Sequence, residues 1–153
     1  MNKLASKVRS GIVVAAAALG LGMAVFVAPS PALAALTSED NTAVAASAPS
    51  DTSQKISVAG ATVYFVDNGD TWYVKDTAAD GRSAVVLWEN YINFERARIG
   101  TCANKLGNGT WGKCAKDYAE SSGIRAMACT YDFSAGVRGS CSDWEVVKGE
   151  IIP

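Results

Sequence analysis

Histidine is absent from this 153-residue chain. Its absence removes the commonest general base, and with it Ser-His-Asp and Cys-His catalysis. It also removes the most frequent metal ligand, and no C-x-x-C spacing replaces it, so no metal site is expected. No G-x-S-x-G nucleophile elbow occurs. Charge is sparse, at 19% Asp, Glu, Lys and Arg. No basic block or stripe stands out, which argues against nucleic acid as a partner. No long segment keeps a 3.6-residue apolar period, which argues against a helical core.

What is present begins with an export signal. Lys3, Lys7 and Arg9 precede an uncharged run from Gly11 to Val27, and Ala32-Leu33-Ala34 fits the small-x-small cleavage rule. This order of basic, apolar and small segments reads as a secretory signal peptide over residues 1–34. The competing reading is an uncleaved anchor. The run is short for a spanning helix, which needs about 20 residues, and Gly20 and Gly22 interrupt it. The expected localisation is therefore secreted and extracellular, with no membrane association after cleavage. Residues 35–54, "ALTSEDNTAVAASAPSDTSQ", are small and polar with no aromatic side chain. They cannot bury enough apolar surface to offset ordering, and are predicted to be a disordered linker. A single domain is expected over residues 55–153. Three of the fourteen basic residues precede the cleavage site, so the mature chain carries eleven against fifteen acidic residues, a net charge of −4.

Four cysteines remain: Cys102, Cys114, Cys129 and Cys141. In an exported chain an even count reads as disulfides, and four permit three connectivities. The two twelve-position intervals favour the local pairs Cys102–Cys114 and Cys129–Cys141. Each interval is rich in turn formers and reads as two strands with facing cysteines at the base. Each closed loop is worth about 3 kcal/mol in the chain-entropy model. Within the first interval, Gly107, Gly109 and Gly112 spell G-x-G-x-x-G. A dinucleotide loop needs a strand before it and a helix after it. Here Lys113-Cys114 follows at once, so the glycines read as a turn, and no cofactor is expected.

The rest alternates like strands. Val63 and Phe65 alternate with Thr62 and Tyr64, then Asn68-Gly69 marks a hairpin before "TWYVK". "SAVVLW" is apolar on both faces, as expected of a central strand. "YINFERARI" is read as a strand, "IRAMACTYD" as another, and "SDWEVVK" as the last. Seven or eight short strands predict an all-β fold, a small antiparallel β-sandwich of immunoglobulin-like or jelly-roll-like type.

Asp80-Gly81-Arg82-Ser83-Ala84-Val85, the two Cys loops and Cys141-Ser142-Asp143-Trp144 together resemble a group of small secreted actinobacterial proteins. The resemblance spans roughly Val63 to Val147. It implies a β-sandwich with local disulfides and brings no activity with it.

Candidate chemistry is limited. Glu89 and Glu95 are the pair a carboxylate-driven glycosidase would use, but solvated strand-edge charges explain them as well. Asp67 to Asp70, with Asp76 and Asp80, offer oxygen ligands for calcium, yet a hairpin turn accounts for the same residues. Asp143 and Glu145 bracket Trp144 and are read as a solvated pair. Trp72 and Trp88 sit among apolar neighbours and are expected in the core. Trp111 lies in a Gly-rich loop beside Lys113, and either faces a ligand or folds over the Cys102–Cys114 bond. The function expected is a non-catalytic extracellular module that binds a glycan, cell wall or protein, with Trp111, Lys113 and Arg138 as candidate contacts. Two alternatives are a proteinase inhibitor presenting Arg138 on "SAGVRGS", Ser134 to Ser140, and the carboxylate-dependent hydrolase.

Overall fold

The computed structural model of the protein describes residues 36–151, so the expected signal peptide lies outside the described residues. Among them are eleven strands and no helix. In chain order these are β1 (Thr37–Thr42), β2 (Val44–Ala46), β3 (Gln54–Val58), β4 (Ala61–Val66), β5 (Thr71–Asp76), β6 (Ser83–Ile92), β7 (Glu95–Asn104), β8 (Trp111–Ala115), β9 (Gly123–Asp132), β10 (Val137–Cys141) and β11 (Glu145–Lys148). They form two sheets. The first runs β1-β7-β6-β9-β10, with β11 also paired to β9, and the second runs β2-β8-β5-β4-β3. The protein is the expected all-β sandwich. All its pairs are antiparallel except β1 on β7.

The core follows from period-two alternation. Val63 and Phe65 of β4 and Trp72 and Val74 of β5 are buried, while Tyr64, Tyr73 and Lys75 alternate with them on the outer side. The first sheet answers with Ala84, Val86 and Trp88 from β6 and Ile124, Ala126 and Ala128 from β9. Tyr118 packs between the layers. Trp72 Nε1 donates to its hydroxyl at 3.0 Å, and Trp88 meets its ring edge-on at 5.3 Å. Burial pushes the Tyr118 phenol far above its ordinary range. Trp88 needs a residue without a side chain opposite it. A Cβ at Gly100 would collide with the Trp88 ring and with the Glu39 carbonyl oxygen of β1.

Four features differ from the sequence-based expectations. The first is the segment predicted to be a disordered linker, residues 35–54, which contains β1 and β2. Its own side chains bury little, but an edge strand needs only backbone partners. β7 supplies a ladder from Thr37↔Arg98 to Thr42↔Ala103, and β8 one from Val44↔Lys113 to Ala46↔Trp111. Between them Ala43 is buried, and its N–H donates to the Ala103 carbonyl at 2.9 Å. Glu39 then locks β1 down. It accepts from Arg98 Nε at 2.9 Å and Nη2 at 2.6 Å, and from Lys116 Nζ at 2.8 Å.

The second difference is "YINFERARI", which is a hairpin and not one strand. The chain reverses at Asn93 and Phe94, with φ of 51° and 65°. Two successive positive φ values make the tight turn that matches strand twist. Asn suits this conformation, whereas a bulky side chain such as Phe seldom adopts it, so residue type hid the turn.

The third difference concerns one disulfide. Both bonds have the expected connectivity. Cys129 and Cys141 face each other across the β9–β10 hairpin, as expected. Cys102, however, lies in β7 of the first sheet and Cys114 in β8 of the second, so this bond ties the two layers together over a Cα–Cα distance of 6.1 Å. The interval between them is a crossover, not a hairpin. Gly107 and Gly109 make its turn with φ of 96° and 80°. Buried Asn104 holds it in place. Its Nδ2 donates to the Val74 and Thr110 carbonyls, each at 2.9 Å, and its Oδ1 accepts from the Leu106 N–H at 3.0 Å.

The fourth is the number of strands, eleven where seven or eight were expected. β1 and β2 arise in the supposed linker and β3 begins at its last residue, whereas the Asn93-Phe94 turn adds none, because Tyr91 and Ile92 continue the "SAVVLW" strand as β6.

Candidate functional site

Each outer face of the sandwich carries a distinct cluster, and the sequence-predicted contacts divide between them. Trp111 opens β8 and Lys113 follows two positions on, so both project to the outer side of the second sheet. Trp111 is half-buried, and Cys114 faces the core. The tryptophan therefore does not cover the disulfide. It packs instead on Tyr64, with ring centroids 5.7 Å apart, and Lys75 Nζ lies 5.5 Å from its ring.

Register extends the cluster. Lys75 is the cross-strand partner of Trp111, Tyr73 is that of Lys113, and Tyr64 sits between Tyr73 and Lys55. Three aromatic side chains and three lysines thus share one sheet face. Its other positions are held by Val44, Ala46, Ser57, Thr62, Val66, Thr71 and Ala115. None is acidic, although the chain carries fifteen acidic residues. The sequence reading found Trp111 and Lys113 and missed Tyr64, Lys75 and Lys55. The missing signal was the alternation itself. Residues offset by one from the core positions Val63 and Trp72 must meet on the opposite face.

Arg138 lies on the other side of the molecule. It sits in β10 opposite Tyr131 and lines an open groove of about 720 Å³ on the outer face of the first sheet. Val85, Leu87 and Ala103 contribute its apolar floor. The apex expected to present Arg138 is instead the Phe133–Gly136 turn, which Asp132 braces by accepting from the backbone N–H groups of Ser134 and Ala135.

The carboxylate candidates are engaged elsewhere. Glu89 is 8% exposed. It accepts from Tyr91 Oη at 2.6 Å, Arg96 Nη1 at 2.8 Å and Arg125 Nε at 2.8 Å. Burial alone would raise its pKa, but these hydrogen bonds outweigh it and hold the carboxyl below its ordinary range. A general acid needs the opposite shift. Glu95 opens β7 beyond the hairpin turn and is exposed. Asp67 and Asp70 converge on Lys148, whose Nζ lies 2.7 and 3.5 Å from their carboxylates and 3.4 Å from Glu120. The cation among these acids is therefore an ammonium of the chain itself. Asp143 precedes β11, so it shares no strand with Glu145.

No family model, curated protein or solved structure matches the chain.

Proposed function

We propose that the folded part of this protein is an extracellular binding module that attaches to a glycan polymer through the outer face of the β2-β8-β5-β4-β3 sheet. One observation carries the reading: Tyr64, Tyr73 and Trp111 share a face with Lys55, Lys75 and Lys113, and no Asp or Glu stands among its strand positions. Aromatic planes take the C–H faces of sugar rings, while amphipathic tips such as the Tyr hydroxyl and Trp N–H reach their hydroxyls. Three ammonium groups without a carboxylate partner among the described residues favour a polymer that bears acidic groups. A sheet face is open at both ends, which suits the side of a long chain more than a chain end. Two disulfides agree with an oxidising, extracellular setting.

The alternatives draw less support. A proteinase inhibitor presents its anchor at a protruding apex, and Arg138 lines a groove instead. A carboxylate hydrolase needs a protonated acid, and Glu89 is held ionised by two arginines and Tyr91.

The test is retention on insoluble chitin, cellulose and peptidoglycan, with an acidic polysaccharide measured in solution. Trp111→Ala is expected to weaken binding at least about fivefold, since a well-placed aromatic contact is worth more than about 1 kcal/mol. Lys75→Gln with Lys113→Gln is expected to flatten the salt dependence. Retention by none of these polymers, or full retention by Trp111→Ala, refutes the reading.

A further inference from the structure

We infer a second, independent site: the groove on the outer face of the first sheet binds a small amphipathic organic anion free in solution. The apolar body lies along Val85, Leu87 and Ala103, and the acid group sits between Lys105 and Arg138.

The floor supplies the first argument. β6 is apolar on both sides, as a strand between two layers would be. Its inner side meets the core, but on its outer side half-buried Leu87, beside buried Val85, lines an open groove of about 720 Å³. That volume falls within the roughly 300–1,000 Å³ usual for small-ligand sites.

The charges supply the second. Three charged residues line the groove: Asp40, Lys105 and Arg138. Lys105 and Arg138 have no carboxylate partner among the described residues, whereas Arg96, Arg98, Lys116, Arg125 and Lys148 each hold one. The Lys105 ammonium reaches 3.7 Å from the Phe133 ring centroid, and Phe133 packs at a tilt against Tyr131 with centroids 4.6 Å apart. This brings Lys105 to the end of the groove where Arg138 pairs with Tyr131. Asp40 stands on β1, four strand spacings from the β10 strand of Arg138 in the order β1-β7-β6-β9-β10. That is about 19 Å at the usual spacing. Its carboxylate is already engaged, accepting from the Thr101 hydroxyl at 2.9 Å. One end of the groove is thus cationic and unpaired, the middle is apolar, and the single acid is far from Arg138 and already engaged. Charge and polarity together select an acid with one compact apolar body.

The probe pair is octanoate and 1-octanol, which share a chain and differ in charge. Titration of the isotope-labelled protein, followed by amide chemical shifts, is expected to show octanoate moving Leu87, Ala103 and Tyr131, with 1-octanol at least about tenfold weaker. Replacing both exposed cations, Lys105→Gln with Arg138→Gln, is expected to bring octanoate down to the affinity of 1-octanol and leave the alcohol unchanged. Trp111→Ala is expected to leave octanoate binding intact, which separates this site from the polymer face. Equal binding of acid and alcohol, shifts confined to other surfaces, or no octanoate binding at all overturns the inference.

Discussion

At the scale of residues, charge is used mainly to tie strands together. Glu39 holds β1 through Arg98 and Lys116, and these two cations also lie over aromatic rings of the core, with Lys116 Nζ 4.9 Å from Trp88 and the Arg98 guanidinium 5.1 Å from Tyr118. Burial by itself would raise the Glu39 pKa, but the hydrogen bonds from Lys116 and Arg98 outweigh it and hold the group below its ordinary 4.5. Glu89 behaves in the same way against Arg125, Arg96 and Tyr91. Because both folded-state values are depressed, the stability they contribute is complete above the unfolded value near 4.5. It is lost as pH falls through the folded values. Glu39→Gln is expected to cost about 1–2 kcal/mol at pH 7, the order of a charge-assisted hydrogen bond left unmade. That penalty should shrink below pH 4, where the parent protein loses the same interactions. Urea unfolding of both proteins from pH 3 to 7 measures it, and a penalty constant across that range contradicts the assignment.

At the scale of elements, the two disulfides close loops of equal length and do different work. Cys129–Cys141 reinforces a hairpin already joined by a backbone ladder. Cys102–Cys114 joins β7 to β8 across the layers, along the same edge that β1 and β2 span. Replacing either pair by alanine is expected to lower global stability by about 3 kcal/mol, because the chain-entropy contribution depends on loop length. Local opening should differ. Loss of Cys102–Cys114 is expected to speed amide exchange through β1, β2 and β8, whereas loss of Cys129–Cys141 should affect β10 alone. Identical exchange patterns in the two variants would show that the inter-layer bond has no special role. Much of this organisation was legible beforehand. Equal twelve-residue intervals pointed to the connectivity, and alternation located β4, β5 and β9. The Asn93-Phe94 turn was hidden because Phe rarely takes a positive φ. Strands β1 and β2 were hidden because their order comes from backbone partners some sixty positions away.

At the scale of the whole molecule, a chain without histidine has no side chain that ordinarily titrates near neutrality. Its folding stability is expected to vary by less than about 0.5 kcal/mol between pH 6 and 8, as linkage requires when folded and unfolded states bind the same protons. Thermal unfolding across that interval checks this, and a marked slope would reveal a strongly shifted group. The sandwich also divides possible partners. The second sheet offers aromatic rings and lysines on one face, and the first offers an apolar groove with cations at one end. Both arise from strands whose inner positions are already committed to the core.

The amino-acid sequence alone determined the strand periodicity, the buried tryptophans Trp72 and Trp88, a preference for the two local disulfide pairs and the absence of histidine. Each of these depends on residue type, or on spacing within a short stretch. The tertiary structure decided which distant residues meet. It set Trp111 against Tyr64 and Lys75, drew Lys105 to Phe133, made one disulfide an inter-layer bond, and ordered β1 beside β7. These outcomes depend on strand order and register, which are settled by how two sheets bury a common core and not by any local run of residues.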